Sequence, residues 1–492
     1  MLVKFLEREV FYPAVSEYGN QMPYDINTNA VIQFKSNPTY NQMMPLLLSN
    51  MGRVIYRKDG FIANFSSGVI VFDSEVEVIE AGIDLKSAYR YCTKHIFAKD
   101  NYHIHSDLIM KPVYNTWMFC PYKIQQEEVL RYAREIQNLS LENGTIIIDD
   151  KWEKNYGDYC FDKEKFPNVK AMVMQLKQLG FRVMVWISPY ISFDSKNYLY
   201  AKDNDLLLKC KGEVYPLQWW NGISACLDLR KSEAREYIST CLSRLMEIGI
   251  DGFKMDGGDS MYYLVEHEPD LQSHLWASMA SQYDFNEIRS SYYNGGMSIY
   301  NRLSDKQHTW DGKGIISLVP STLALSLMGQ PFSSPDMIGG GEVKDLLKGR
   351  ALNRDIYLAH LQTAVLLPSM QFSILPNTVL KDMHECYQLL SYRKKYSQYI
   401  YDVLTRSMCD KSPMARLLEY VFPHQGFEKE IHQFMLGDKL LVAPIYQENQ
   451  TEMQIRLPKG RWKYQQCVFD GDQTIKLSCC LHQLIVLERQ DV

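Results

Sequence analysis

A (β/α)8 barrel, preceded by a β-sandwich and followed by a small β domain, is the fold that three features of this sequence predict. Strand-length apolar runs alternate with helical stripes over roughly 300 central residues, a length that suits such a barrel. The stretches on either side carry short strand patterns divided by turn residues. Carboxylates sit where several of the central strands end, the position from which barrel enzymes act. At 492 residues the chain is too long for one simple core, which agrees with a large domain bearing smaller ones.

Residues 1–108 read as the N-terminal β-sandwich. VIYR, FIANF, GVIVF and EVEVIEA are separated by Gly, Asp and Ser turns. Residues 109–408 read as the barrel. Tyr114–Phe119 is a candidate first strand, Gln125–Leu139 a helix and Gly144–Asp150 a second strand. Pro167 opens a helix in which Val169, Met172, Val173 and Leu176 share one face, and Gly180 ends it. FRVMVWIS is the next strand. A stripe of Ala234, Tyr237, Ile238, Cys241, Leu242 and Leu245 follows, then the strand DGFKMD. Further units run through SIYNRL, a helix near Ser321–Met328, PFSSPD, a helix near Arg354–Leu366, and SMQFSI. A doubly wound sheet is the rival, but no G-x-G-x-x-G turn follows an early strand. Residues 409–492 return to strands: KLLVAPIY, MQIRL, KYQQCVF and QLIVLER form a C-terminal β domain.

Composition narrows the function. The net charge is −5 and the densest basic run is only Arg393-Lys394-Lys395, which argues against a nucleic-acid partner. No run approaches ~20 apolar residues, so no membrane partner is expected. The 11 cysteines are odd in number and scattered, without a C-x-x-C pair, which fits neither a disulfide framework nor a zinc site. With no apolar leader at the N-terminus, a reducing, cytoplasmic location is expected. No metal or organic cofactor is called for. The pattern leaves a homo-oligomer open.

Strand alternation sorts the candidate acids. In DGFKMDGGD, Lys254 and Asp256 share one face, while Phe253 and Met255 share the other. The apolar pair suits the helix layer, so the charged pair faces the barrel axis. Lys254 then keeps Asp256 ionised, as a nucleophile requires, although a structural ion pair has the same signature. In TIIIDDKW the same rule turns Asp149 inward and puts Asp150 at the rim, or else one of them caps the next turn. Trp186, Trp219 and Trp220 lie near strand ends or loops. Two adjacent indoles are hard to bury together, so one of the last two is expected to face a ligand. Arg302 is a charged group near another strand end, suited to sugar hydroxyls or to orienting a carboxylate, and equally to an ordinary surface position.

Several motifs in order resemble glycoside hydrolase family 31 over nearly the whole chain: Asn41–Arg53, IIIDDKWEKNYGDYCFD, LGFRVMVWISP, DGFKMDGGD, PFSSPDMIGGG and FMLGDKLLVAPI. WWNGI, NRLSD, TWDGKG, PDMIGG and PSMQFSI are most like the branch that holds α-galactosidases. The resemblance implies a retaining exo-α-glycosidase acting on an oligosaccharide or glycoside. It makes Asp256 the nucleophile and Asp311 the acid/base, with Asp305 competing for that second role. Asp149, Lys254, Arg302, Asp336 and the Trp219-Trp220 pair line the sugar subsite on this reading. Two departures, Trp310 directly before Asp311 and Pro335 before Asp336, lean away from plain α-glucosidases. An α-glucosidase or α-xylosidase with the same machinery, or a silent carbohydrate-binding protein, are the alternatives.

Overall fold

The structure, a computed structural model, describes residues 1–347, 349 and 351–491. Its centre is a ring of parallel strands. We number them β1 (Val113–Asn115), β2 (Thr145–Ile148), β3 (Arg182–Ile187), β4 (Gly252–Met255), β5 (Phe285–Ile288), β6 (Asn301–Arg302), β7 (Ser333–Ser334, resuming at Met337–Ile338) and β8 (Gln371–Phe372). Parallel pairing runs from β1 to the first half of β7, and β8 joins the second half of β7 to β1. The sheet is therefore a nearly closed (β/α)8 barrel. Pro335, which has no N–H to give, and Asp336, at φ +84°, break the β7 ladder between its halves.

TIII in β2 and RVMVWI in β3 are apolar on both faces because helices cover one and the barrel interior the other. The helices are α1 (Gln126–Asn138), α2 (Val169–Gln178), α3 (Ser232–Glu247), α4 (Pro269–Ala280), α5 (Leu318–Ser326), α6 (Arg354–Ala364) and α7 (His384–Lys395). In α2 the Asn168 side chain caps the Ala171 N–H, Met172, Val173 and Leu176 are buried, and Gly180 leaves in a left-handed conformation. β1 is shorter than expected. Asn115 Oδ1 accepts from Trp117 N at 2.8 Å and turns the chain, which releases Trp117 to the barrel mouth. The helix expected near Ser321–Met328 starts earlier, at Leu318.

The β5–β6 connection carries no helix. Its Ser291–Tyr292 segment instead pairs in parallel with Gln42–Met43 of the N-terminal region. That region has two sheets. One joins Leu2–Lys4, Val69–Phe72, Ile62–Ser66 and Ala30–Gln33; the other joins Phe11–Val15, Gln42–Ser49, Arg53–Tyr56 and Glu77–Glu80. The strand Gln42–Ser49 is buried on both faces. Met43 and Leu47 enter the core between the two sheets, while Met44, Leu46 and Leu48 enter the core shared with the barrel. Each of those leucines contributes about 1.5–3 kcal/mol of apolar burial. One strand thus belongs to two cores. The β-rich reading of 1–108 misses one helix, Leu85–His95, which is capped reciprocally by Asp84 and Ser87 and buries Leu85, Ala88, Tyr89 and Cys92.

After the helix Ser397–Asp410, a six-stranded sheet and the hairpin-like pair Glu452–Leu457 with Gln473–Ser478 enclose a core around Leu441, Ile455, Trp462 and Leu487. Among the described residues, no helix is long and apolar enough to cross a membrane.

The N-terminal region also docks through a short 3-10 turn, Ser16–Gln21, laid on α5. A Cβ on Gly19 falls inside contact distance of the Pro320 and Ser321 backbone, which has no soft way to move. Gly19→Ala is expected to part the two bodies and destabilise the protein by about 1–3 kcal/mol. Urea unfolding followed by tryptophan fluorescence measures this; an unchanged midpoint contradicts the docking role.

Candidate active site

The C-terminal strand ends open into a cleft of about 560 Å³. Register sets what faces it. Trp186 on β3, Lys254 on β4 and Glu287 on β5 lie side by side across the ladder, so the three form one inward layer. Trp186 and Lys254 line the cleft; Glu287 lies beneath, fully buried. Phe253 and Met255 point the other way, into the apolar core.

Asp256 stands just past β4. Its Oδ2 accepts from Trp186 Nε1 at 3.1 Å and lies 3.8 Å from Lys254 Nζ. Its Oδ1 accepts from Arg289 Nε at 3.0 Å and from Gly257 N at 2.8 Å. Burial alone pushes this carboxyl up. Arg289 first, then Lys254 and Arg302, overcome the burial and hold it well below the usual carboxylate range. Asp256 is therefore an ionised carboxylate facing a cavity.

The neighbouring charges are committed to each other. Lys254 Nζ donates to Asp149 Oδ2 at 2.6 Å. Arg289 forks onto Asp259 through both terminal nitrogens at 2.9 Å. Arg302, 1% exposed, contacts Glu287 at 3.1 Å and both Asp305 and Asp336 at 2.7 Å. Asp150 differs. Its Oδ2 accepts from Tyr156 and Asn221, but its buried Oδ1 has no partner. Burial, with Asp149 adding to it, lifts this carboxyl to about 6.

Of the residues singled out in the sequence, Asp149, Asp150, Trp186, Trp219, Trp220, Lys254, Asp256, Arg302 and Asp305 line the cleft. The tryptophan pair divides its work. Trp219 pairs with Gly222, so Trp220 and Asn221 form a two-residue turn. Trp219 is buried against Tyr190 and Tyr156, while Trp220 is 41% exposed and stands edge-on to it.

Two placements correct the expectation. Asp336 is fully buried and does not line the cleft: its Oδ1 takes Arg302, and its Oδ2 takes the N–H groups of Lys306 and Gly341. It stands behind the arginine that does. Asp311 does not line the cleft either. It is exposed, and its Oδ1 accepts from Thr309 Oγ1 at 2.8 Å and Lys313 N at 2.9 Å, closing its own turn. The cause is Trp310, which packs between the barrel and the C-terminal domain and leaves its neighbour facing solvent. Asp305, over a third exposed beside Arg302, holds the cleft position instead.

Arg289 and Tyr40 were not anticipated. The alternation rule reaches Arg289, since in FNEIR it shares a face with Glu287. Nothing local reveals Tyr40, which comes from the N-terminal region. Among the described residues, no group of His, Cys, Asp and Glu is arranged to hold a metal ion.

Residues 112–401 match the model of the glycosyl hydrolases family 31 TIM-barrel domain, and 411–491 that of the glycosyl hydrolase family 31 C-terminal domain. The chain is 31% identical over 409 residues to the myogenesis-regulating glycosidase of Mus musculus, an alignment covering 79% of this chain and 57% of that protein. A GH31 dextranase of Flavobacterium johnsoniae complexed with isomaltotriose superposes with a TM-score of 0.87 at 17% identity, covering 99% of this chain and 66% of that one. A GH31 α-xylosidase from a soil metagenome complexed with xylose gives 0.83 at 18% identity, covering 100% and 79%. The chain thus spans little more than half the length of the mouse relative.

The raised Asp150 carboxyl has a stability cost with a definite sign. Its folded pKa of about 6 exceeds the ordinary 3.8, so the folded state binds the extra proton and stability falls as pH rises through that window. Asp150→Asn is expected to stabilise the protein more at about pH 7.5 than at about pH 4, by up to ~3 kcal/mol, read as a larger rise in melting temperature at the higher pH. Equal shifts at both values contradict this assignment.

Proposed function

The chain belongs to glycosyl hydrolase family 31, and on that basis we propose that it is a retaining, exo-acting α-glycoside hydrolase that releases terminal α-galactose from an oligosaccharide or glycoside. The observation that carries this reading is the ionised, buried Asp256 facing a cleft that a second carboxyl, Asp305, also lines.

Asp256 is the nucleophile. Its charge is held by Arg289 and Lys254, and its attack on the anomeric carbon forms a glycosyl-enzyme. Asp305 is the acid/base. It protonates the departing oxygen, then takes a proton from the water that releases the sugar with its configuration retained. Solvent exposure supports this role, because the same group must exchange protons twice per turnover. Exo action is carried over from the family resemblance; Trp186 and Lys254, both buried, stand at the inner side of the cleft. Asp149 and Asp150 serve as hydroxyl acceptors on that side, and the free Oδ1 of Asp150 is the available one. Trp220, exposed at the rim, offers a stacking face to the sugar or aglycone. Galactose as the sugar rests on the likeness of Trp219–Gly222 and Pro335-Asp336 to the α-galactosidases of the family.

Turnover of matched p-nitrophenyl α-galactoside, α-glucoside and α-xyloside tests the reading, with the product anomer followed by proton NMR. Release mainly from the galactoside as the α-anomer is expected; release from another sugar reassigns the substrate, and no release removes the activity. Asp256→Ala is expected to lose turnover while keeping its fold.

The acid/base choice is tested separately. Asp305→Ala is expected to lose about 10²- to 10⁴-fold with alkyl glycosides. Asp311→Ala stays near wild type. The opposite ranking restores Asp311 to the role.

A further inference from the structure

We infer that Asn41 and Gln42 of the N-terminal sandwich are positioning residues that set the two catalytic carboxylates against each other. The inference rests on the assignment of Asp256 and Asp305 above and extends it to residues outside the barrel.

The observation begins with the missing helix. A barrel strand end is normally braced by the helix that follows it, yet β5 runs to β6 without one. The N-terminal strand Gln42–Ser49 fills that place by pairing with Ser291–Tyr292. Alternation along this strand turns Met44, Leu46 and Leu48 toward the barrel, and Gln42 with them. The Gln42 carboxamide is 1% exposed and uses both its N–H groups. It donates to Arg289 O at 2.7 Å and to Arg302 O at 2.9 Å. Its oxygen accepts from Ser16 Oγ at 2.8 Å, which fixes its orientation. One side chain therefore ties the end of β5 to the end of β6.

The two neighbours complete the clamp. Asn41, fully buried, accepts from Ser304 N at 2.7 Å, donates to Ser304 Oγ at 2.8 Å, and is held from behind by Glu17. Tyr40 O accepts from Arg289 Nη1 at 2.6 Å. Arg289 is the cation on Asp256, and Ser304 is the residue before Asp305. A single tripeptide thus touches the partner of the nucleophile on one side and the loop of the acid/base on the other. Misplacement of reacting groups by 1 Å costs on the order of 100-fold in rate, so a clamp of this kind has kinetic consequences well beyond its few hydrogen bonds.

Asn41 acts on the acid side, which gives it a distinctive signature. The test compares wild type, Asn41→Ala and Gln42→Met on methyl α-galactoside, whose departure needs protonation, and on 2,4-dinitrophenyl α-galactoside, whose departure does not. Asn41→Ala is expected to lose about 10- to 100-fold in kcat/KM on the methyl glycoside and less than about threefold on the dinitrophenyl one. Gln42→Met, which frees the Arg289 carbonyl as well, is expected to lose kcat on both with KM nearly unchanged. If Asn41→Ala folds poorly by circular dichroism, Ser304→Ala, which keeps the N–H on Asn41 Oδ1 and removes only the hydroxyl that Asn41 donates to, shows the same leaving-group contrast at smaller amplitude. Equal losses on both substrates for Asn41→Ala, or unchanged rates for both variants, in a folded and active protein overturn the positioning role alone. If the wild type prefers another sugar, the same methyl and 2,4-dinitrophenyl pair of that sugar is used; a wild type that turns over neither the galactosides nor the matching glucosides and xylosides overturns the catalytic assignment and this inference with it.

Discussion

A carboxylate buried at the mouth of a barrel stays charged only if cations meet it there, and this constraint organises the molecule. Asp256 lies almost out of reach of solvent, which favours its neutral form. Arg289, Lys254 and Arg302 reverse that preference. Each of those cations is itself buried and needs its own anion: Asp259 for Arg289, Asp149 for Lys254, Glu287, Asp305 and Asp336 for Arg302. Buried pairs of this kind gain little net stability, because desolvation consumes the Coulombic gain. Their value lies in fixing where charge stands. The ring of strands supplies the fixed points, since six of these residues lie on a strand or directly after one.

Asp150 shows the opposite choice. It lies beside Asp149, but the ammonium of Lys254 goes to Asp149, and Asp150 is left with a buried oxygen that nothing in the protein satisfies. Such an atom destabilises the empty site and is relieved by a hydroxyl that enters it. A cleft in which one carboxylate is fully paired and its neighbour is not is a cleft shaped for a polar guest. The trade of stability for binding is common at functional sites.

The N-terminal sandwich cannot be treated as an appendage. Its central strand belongs to two cores, its Tyr40 reaches the cleft, and its amides hold the barrel where a helix is absent. Likewise the C-terminal domain reaches back: Trp310, from the loop after β6, inserts between it and the barrel and so decides which way Asp311 points. In both places a contact between domains sets the catalytic face.

What the sequence determined by itself was everything carried by periodicity and local chemistry. Alternation along GFKMD turned Lys254 inward, and the following Asp256 with it; apolar runs announced β2 and β3; caps and glycines bounded α2. These signals are local because backbone geometry enforces them residue by residue. Asp311 and Asp305 lie six positions apart in one loop, and no period governs a loop, so it is tertiary packing, with Trp310 against a distant domain, that puts Asp305 and not Asp311 at the cleft. Asp336 looked like a strand-end acid, but a β7 ladder broken at Pro335 turned it behind Arg302. Arg289 was within reach of the alternation rule, whereas Tyr40, Asn41 and Gln42 were not: they lie about 250 residues from the carbonyls and side chains they hold. Contacts over such separations have no signature in one chain's local pattern. They exist only once the sandwich strand has taken the place of the absent helix, and that substitution is a fact of tertiary packing alone.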